Sequence, residues 1–317
     1  MLEDTLFTEL PDLDSKLIDK PGVPAGLWSA PRVLWGASDF RIQAYNVEFV
    51  IHGLKEDVIP TLDYLKMGHV EIPIQKQIKI SVWKSPYPQF NNIPISGNIY
   101  SVGFDHDPPF VTFFGYFYAA RFNVQSREID LFMADAQPKV LTGEVENFLR
   151  VSTSLYFISE KIFPFHSSAV SVSDETFVFF GPHNAGKSTL ALLAPENSLV
   201  LGDDLNALLL REDGIFIASL PFPSEVMRIR PIVERRVTAM FRLVKDSSNF
   251  FEPMSDGEKI AALYASMPVY NILPSDMRRE QSSLFEISAR VPLCRLHFSK
   301  NEEVYPWLLK NLDSIPR

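Results

Sequence analysis

The chain has 317 residues, 46% of them apolar and 22% charged, with a formal net charge of −9. That length gives room for one large domain or two ordinary ones, with a core that needs no covalent staple. The acidic excess excludes nucleic acid as a default partner, because neutralising phosphates takes a basic surface, and the single cysteine, Cys294, excludes an intramolecular disulfide and fits a reducing compartment.

The opening MLEDTLFTELPDLDSKLIDK is acidic, lacks an apolar run and resembles neither a signal nor a transit peptide. In FRIQAYNVEFVIHGL the apolar residues alternate as in a strand, and EDVIPTLDYLK reads as a short helix interrupted near Pro60. QIKISVWK, FVTFFGYFYAARFNV and REIDLFM carry the β-branched and aromatic residues of strands. The uncharged run from Phe110 to Ala120 is too short to span a bilayer as a helix. Its aromatic residues read as a buried strand pair rather than a stacking platform, since basic residues are sparse among them. The chain thus reads as a cytoplasmic, soluble protein without a membrane partner. Residues 1–140 form an amino-terminal α+β region whose role the residues do not specify.

A helix follows in GEVENFLRVSTSLYFISEKI, with Val145, Phe148, Leu149, Leu155 and Ile158 broadly at helical spacing and Pro164 closing it. From Phe165 the pattern becomes α/β: HSSAVSV and TFVFF are strands joined by the turn SDE, STLALLA begins a helix, and NSLVLGDDL is a strand ending in two acids. GIFIASL continues the sheet. Beyond Pro231 the chain reads as more helical, with a capping box at Ser255 and Glu258, then a strand VPLCRLHF and a helix VYPWLLKNL. The second unit therefore covers residues 141–317.

Between strand TFVFF and helix STLALLA lies Gly181-Pro182-His183-Asn184-Ala185-Gly186-Lys187-Ser188, followed by Thr189, which satisfies G-x-x-x-x-G-K-[ST] in full. Glycines let the backbone curl so that successive amides face an anion. Lys187 then reaches the β- and γ-phosphates of a nucleotide and the Ser188 hydroxyl ligates Mg²⁺. Asp203 and Asp204 end the next strand 15 and 16 residues beyond Ser188, where a P-loop protein holds its magnesium. Arg235-Arg236 and Arg278-Arg279 read as solvated faces.

His166 stands 21 residues before Lys187. With the small residues of HSSAV after it, the loop, and the LGDD acids, it resembles the HPr kinase/phosphorylase family and its wider group of P-loop serine kinases. The likeness runs from about Phe165 to Leu210, weakening through LPFPSEVMRIRP and VPLCRLHF. Pro182, His183 and Thr189 stand where the HPr kinases carry Asp, Ser and Glu, so the loop is closer to the broader relatives.

The resemblance implies a kinase domain of the HPr kinase/PEP carboxykinase-like type, with a mixed sheet, preceded by the smaller α+β region. It implies ATP and Mg²⁺ as cofactors and transfer of the γ-phosphoryl group to a hydroxyl, with serine in a protein, a peptide or a small molecule as the class of acceptor. His166 and Lys187 would assist transfer. One of the two aspartates would be the base, Asp204 being preferred while the spacing leaves Asp203 open, and the other would support the metal with Ser188 and Glu225. Arg228 or Arg230 would supply a late arginine. The alternatives are a nucleotide-dependent binding or regulatory module and a simple NTPase, and a homo-oligomer stays open.

Overall fold

The computed structural model describes residues 23–24, 26–65, 70–90, 103–107, 109–222, 231–268 and 281–316. Among them the strands form two mixed sheets, one of seven strands and one of nine, with few helices. The expected α+β region is thus mostly strand.

The first sheet has the order β1-β2-β3-β7-β6-β5-β4. Its strands are β1 (Ser38–Ala44), β2 (Val47–Leu54), β3 (Lys76–Lys84), β4 (Gly103–Asp107), β5 (Phe110–Phe114), β6 (Tyr118–Asn123) and β7 (Glu128–Met133). FRIQAYNVEFVIHGL is therefore a hairpin and not one strand. Tyr45, at a φ of 55°, starts the two-residue turn that reverses it. EDVIPTLDYLK yields a 3₁₀ segment, Ile59–Leu65, with Pro60 in its first turn. The aromatic run forms the antiparallel pair β5–β6.

Helix α1 (Pro138–Ser159) begins on a proline, whose missing amide proton costs nothing in a first turn. It ends before Lys161, whose left-handed φ of 61° cannot continue a helix. Pro164 does not close it. That residue lies inside β8 (Ile162–Val172), opposite Ala207, and His166 is a mid-strand residue.

The second sheet has the order β13-β12-β11-β8-β9-β14-β16-β15, with β10 also on β8. These are β9 (Glu175–Phe180), β10 (Leu199–Gly202), β11 (Leu205–Arg211), β12 (Gly214–Ser219), β13 (Glu234–Arg236), β14 (Ala239–Lys245), β15 (Phe250–Glu252) and β16 (Leu293–Phe298). Ser173 and Asp174, both at positive φ, make the β8–β9 turn. β9, β14 and β16 run parallel. The stretch after Pro231 is therefore not mainly helical, since β13, β14 and β15 precede α3 (Asp256–Ala265) and α4 (Gln281–Arg290). The Ser255–Glu258 capping box does start α3.

Two clusters of buried side chains flank this sheet. The larger takes Phe165 and Ala169 of β8 and runs on through α1 into the first sheet. The smaller packs Val170, Phe179, Phe241 and Leu296 against Leu190 of α2 (Lys187–Leu192) and Tyr305 of α5 (Val304–Lys310). Among the described residues no helix is long and apolar enough to cross a membrane.

Candidate functional site

The loop 181–186 leaves β9 and enters α2, and three residues hold it in left-handed backbone: Gly181 at φ 146°, Asn184 at 62° and Gly186 at 109°. At Gly186 glycine is needed twice, because a Cβ there would also stand 2.6 Å from Cζ of Phe298. The loop is pinned from below. Ala185 and Leu190 pack on the sheet, and the Tyr305 hydroxyl donates to the Leu190 carbonyl at 2.7 Å. Lys187 is 7% exposed and its Nζ donates to the Gly181 and Pro182 carbonyls, each at 3.2 Å. Burial lowers its proton affinity, against the attraction of Asp204.

β8 changes partner along one edge. Residues 162–166 pair with β11 and residues 169–171 with β10. Asp203 and Asp204 form the turn between those two strands and so lie beside the break. There the Ser167 amide donates to the Asp204 carbonyl at 3.0 Å, and Asn206 Nδ2 donates to the Ser167 carbonyl at 2.7 Å. The main chain of His166 is held by the Ser266 carbonyl at 2.7 Å. Its Nε2 lies 3.4 Å from Asp204 Oδ1.

Partial burial lowers the proton affinity of His166 most. The cations Lys187 and Arg150 and the ring of His183 lower it further, against the pull of Asp204. That lowering favours the neutral imidazole, which can exchange a proton or a hydrogen bond without carrying charge. Asp204 thus joins β8 to α1 at the 203–204 turn, and α2, the helix that follows the loop, packs on β8.

Arg150 and Glu146 are the members of this cluster that motif reasoning missed. Arg150 Nη1 donates to Asp204 Oδ2 at 2.6 Å, and its Nε donates to Glu146 Oε1 at 2.9 Å. The signal was present as an i,i+4 Glu–Arg pair, which on a helix usually marks an exposed face; here both side chains are largely buried, at 16% and 13% exposure. Asp203 is 3% exposed. Glu225, Arg228 and Arg230 lie outside the described residues.

The hydroxyl of Ser188 and the carboxylate of Asp203 are hard oxygen donors of the kind magnesium takes. Among the described residues no three His, Cys, Asp or Glu side chains group into a metal site of their own. Oxygen donors of this type suit an ion that keeps waters and shares phosphate oxygens.

No protein-family model matches the sequence, and no curated protein matches it. A solved structure with some likeness is the HPr(Ser) kinase/phosphatase from Coxiella burnetii, at a TM-score of 0.22 and 16% identity over 29% of this chain and 77% of that one. At that level the likeness carries no argument about activity.

Proposed function

We propose that the chain is a Mg·ATP-dependent phosphotransferase that moves the γ-phosphoryl group to a hydroxyl of a protein, a peptide or a small molecule. The observation that supports it best is the approach of His166 Nε2 to Asp204 Oδ1, at 3.4 Å, on the strand against which α2 packs with Lys187 at its start, after a loop with left-handed glycines at both ends. The amides of 181–188 would cradle the phosphates. Lys187 would exchange its contacts with two carbonyls for phosphate oxygens, a stronger, charge-assisted pairing. Ser188 and Asp203 would hold magnesium, whose chemistry there is neutralisation of phosphate charge. In the transfer step the acceptor oxygen bonds the γ-phosphorus while the bridging P–O bond breaks and its electron pair leaves on ADP. The acceptor's proton passes to the Asp204 carboxylate, and neutral His166 hydrogen-bonds the transferring group.

The test is incubation with γ-labelled Mg·ATP and a panel of hydroxyl-bearing proteins, peptides and small molecules. The wild type should move label to an acceptor. Asp204→Asn, which keeps shape but not basicity, should lose about 10²-fold or more of that rate while still binding nucleotide. Nucleotide binding without any label transfer would instead favour a switch, and phosphate release that ignores every acceptor would favour an NTPase.

A further inference from the structure

Arg150 enters the site from α1, upstream of the loop, and is held on three sides. Nη1 donates to Asp204 Oδ2 at 2.6 Å, Nε and Nη2 each lie 2.9 Å from Glu146 Oε1, and Cζ stands 4.9 Å over the ring of Phe222. A planar guanidinium held by two carboxylates and a ring has little rotational freedom, so it pins the one oxygen it touches on each carboxylate, Oδ2 of Asp204 and Oε1 of Glu146. The chain of contacts extends further. The other oxygen of Glu146 accepts from the Tyr64 hydroxyl at 2.6 Å, and Tyr64 lies in the 3₁₀ segment Ile59–Leu65 that follows β2. A continuous path of side-chain hydrogen bonds thus leads from the 3₁₀ segment after β2 to the carboxylate that lies 3.4 Å from His166.

We propose that Arg150 is a positioning residue for Asp204 and that the path Tyr64–Glu146–Arg150–Asp204 gives the amino-terminal region control over the phosphate site. This rests on the phosphotransfer reading, in which Asp204 takes the acceptor's proton. Arg150 occupies Oδ2, so that role falls to Oδ1, the oxygen 3.4 Å from His166 Nε2. A contact or modification that draws Tyr64 away loosens Glu146, then Arg150, and lets the Asp204 carboxylate rotate out of line. Misalignment of a reacting group by about 1 Å is enough to cost roughly 10²-fold in rate. The unassigned first half of the chain thereby acquires a part in the chemistry of the second.

The experiment measures Mg·ATP hydrolysis by the full chain, water being the acceptor. Arg150→Ala should lower kcat about 30-fold and leave KM for Mg·ATP within about twofold, because the base is misplaced and the phosphate cradle is untouched. Arg150→Lys, which keeps charge without the fork, should recover only part of the loss. Tyr64→Phe should lower kcat about two- to threefold in the wild type and have no effect in the Arg150→Ala background, since the path is already cut. A merely structural arginine predicts no such dependence of one variant on the other. Unchanged kcat in Arg150→Ala, or a Tyr64→Phe effect of equal size in both backgrounds, overturns the proposal while the phosphotransfer reading stands. Where label passes only to a hydroxyl acceptor and not to water, the same kcat ratios are read on that transfer, and a wild type that binds Mg·ATP yet neither hydrolyses it nor passes label to any acceptor overturns the phosphotransfer reading and the proposal with it.

Discussion

Glu144 sits one turn before Phe148 on α1, with Oε2 accepting from the Phe117 amide at 3.2 Å. Burial raises its carboxyl to about 7, while the amides of Phe117 and Tyr116 pull the other way. The folded chain therefore keeps this proton up to about pH 7, whereas the unfolded chain releases it near 4.5. Stability from this residue is complete below pH 4.5 and lost as pH rises to 7, by about 3 kcal/mol at most. Glu144→Gln should remove that decline, so urea midpoints at pH 5 and pH 8 should converge relative to wild type. An unchanged gap between the two midpoints would place the titration elsewhere. Residues of this kind escape sequence reading because their chemistry depends on burial. Glu144, Glu146 and Arg150 all stand on one helix whose pattern shows only an apolar stripe and some charges.

The loop between β9 and α2 shows the opposite relation between sequence and structure. Gly181 and Gly186 are dictated by backbone geometry, so the letters report the conformation directly. Gly186→Ala would force a side chain into a left-handed φ and against Phe298, lowering stability by about 1–3 kcal/mol and weakening nucleotide binding. Adding Phe298→Leu should relieve the contact but not the backbone strain, giving partial recovery in a thermal melt. Full recovery would mean that the ring alone demands glycine. The hairpin β8–β9 and the capping box of α3 were equally plain, because turn and cap residues act locally. β14 was hidden, since Arg242 and Lys245 interrupt its apolar run while parallel partners on both sides bury the rest. Pro164 misled for a related reason: proline stops helices by a local rule, but its place within β8 is set by a tertiary partner.

At the scale of the whole molecule the two sheets share one core and several polar clasps. Tyr45 of the β1–β2 turn donates to Glu234 at 2.6 Å and accepts from Arg211 at 2.6 Å, and Arg235 reaches Glu71 at 2.8 Å. A continuous cluster of buried side chains links Trp35 and Phe49 to Phe165 and Leu293. Sequence texture separated the chain near residue 140 because the phosphate-binding signals begin after it. No local pattern announces that α1 packs on β8 and joins both halves, and the strand order of neither sheet follows from its strands alone. Left-handed glycines shape a loop, a change of strand partner places two acids at the break along β8, and the helix between the sheets sends in an arginine. Titration calorimetry of the full chain with Mg·ATP and Mg·GTP tests the proposed phosphate cradle most directly. At least one should bind with a measurable heat at one site per chain, and Lys187→Ala should weaken that binding at least about tenfold. No heat from either nucleotide, or equal affinity in the lysine variant, would contradict a phosphate cradle at residues 181–188.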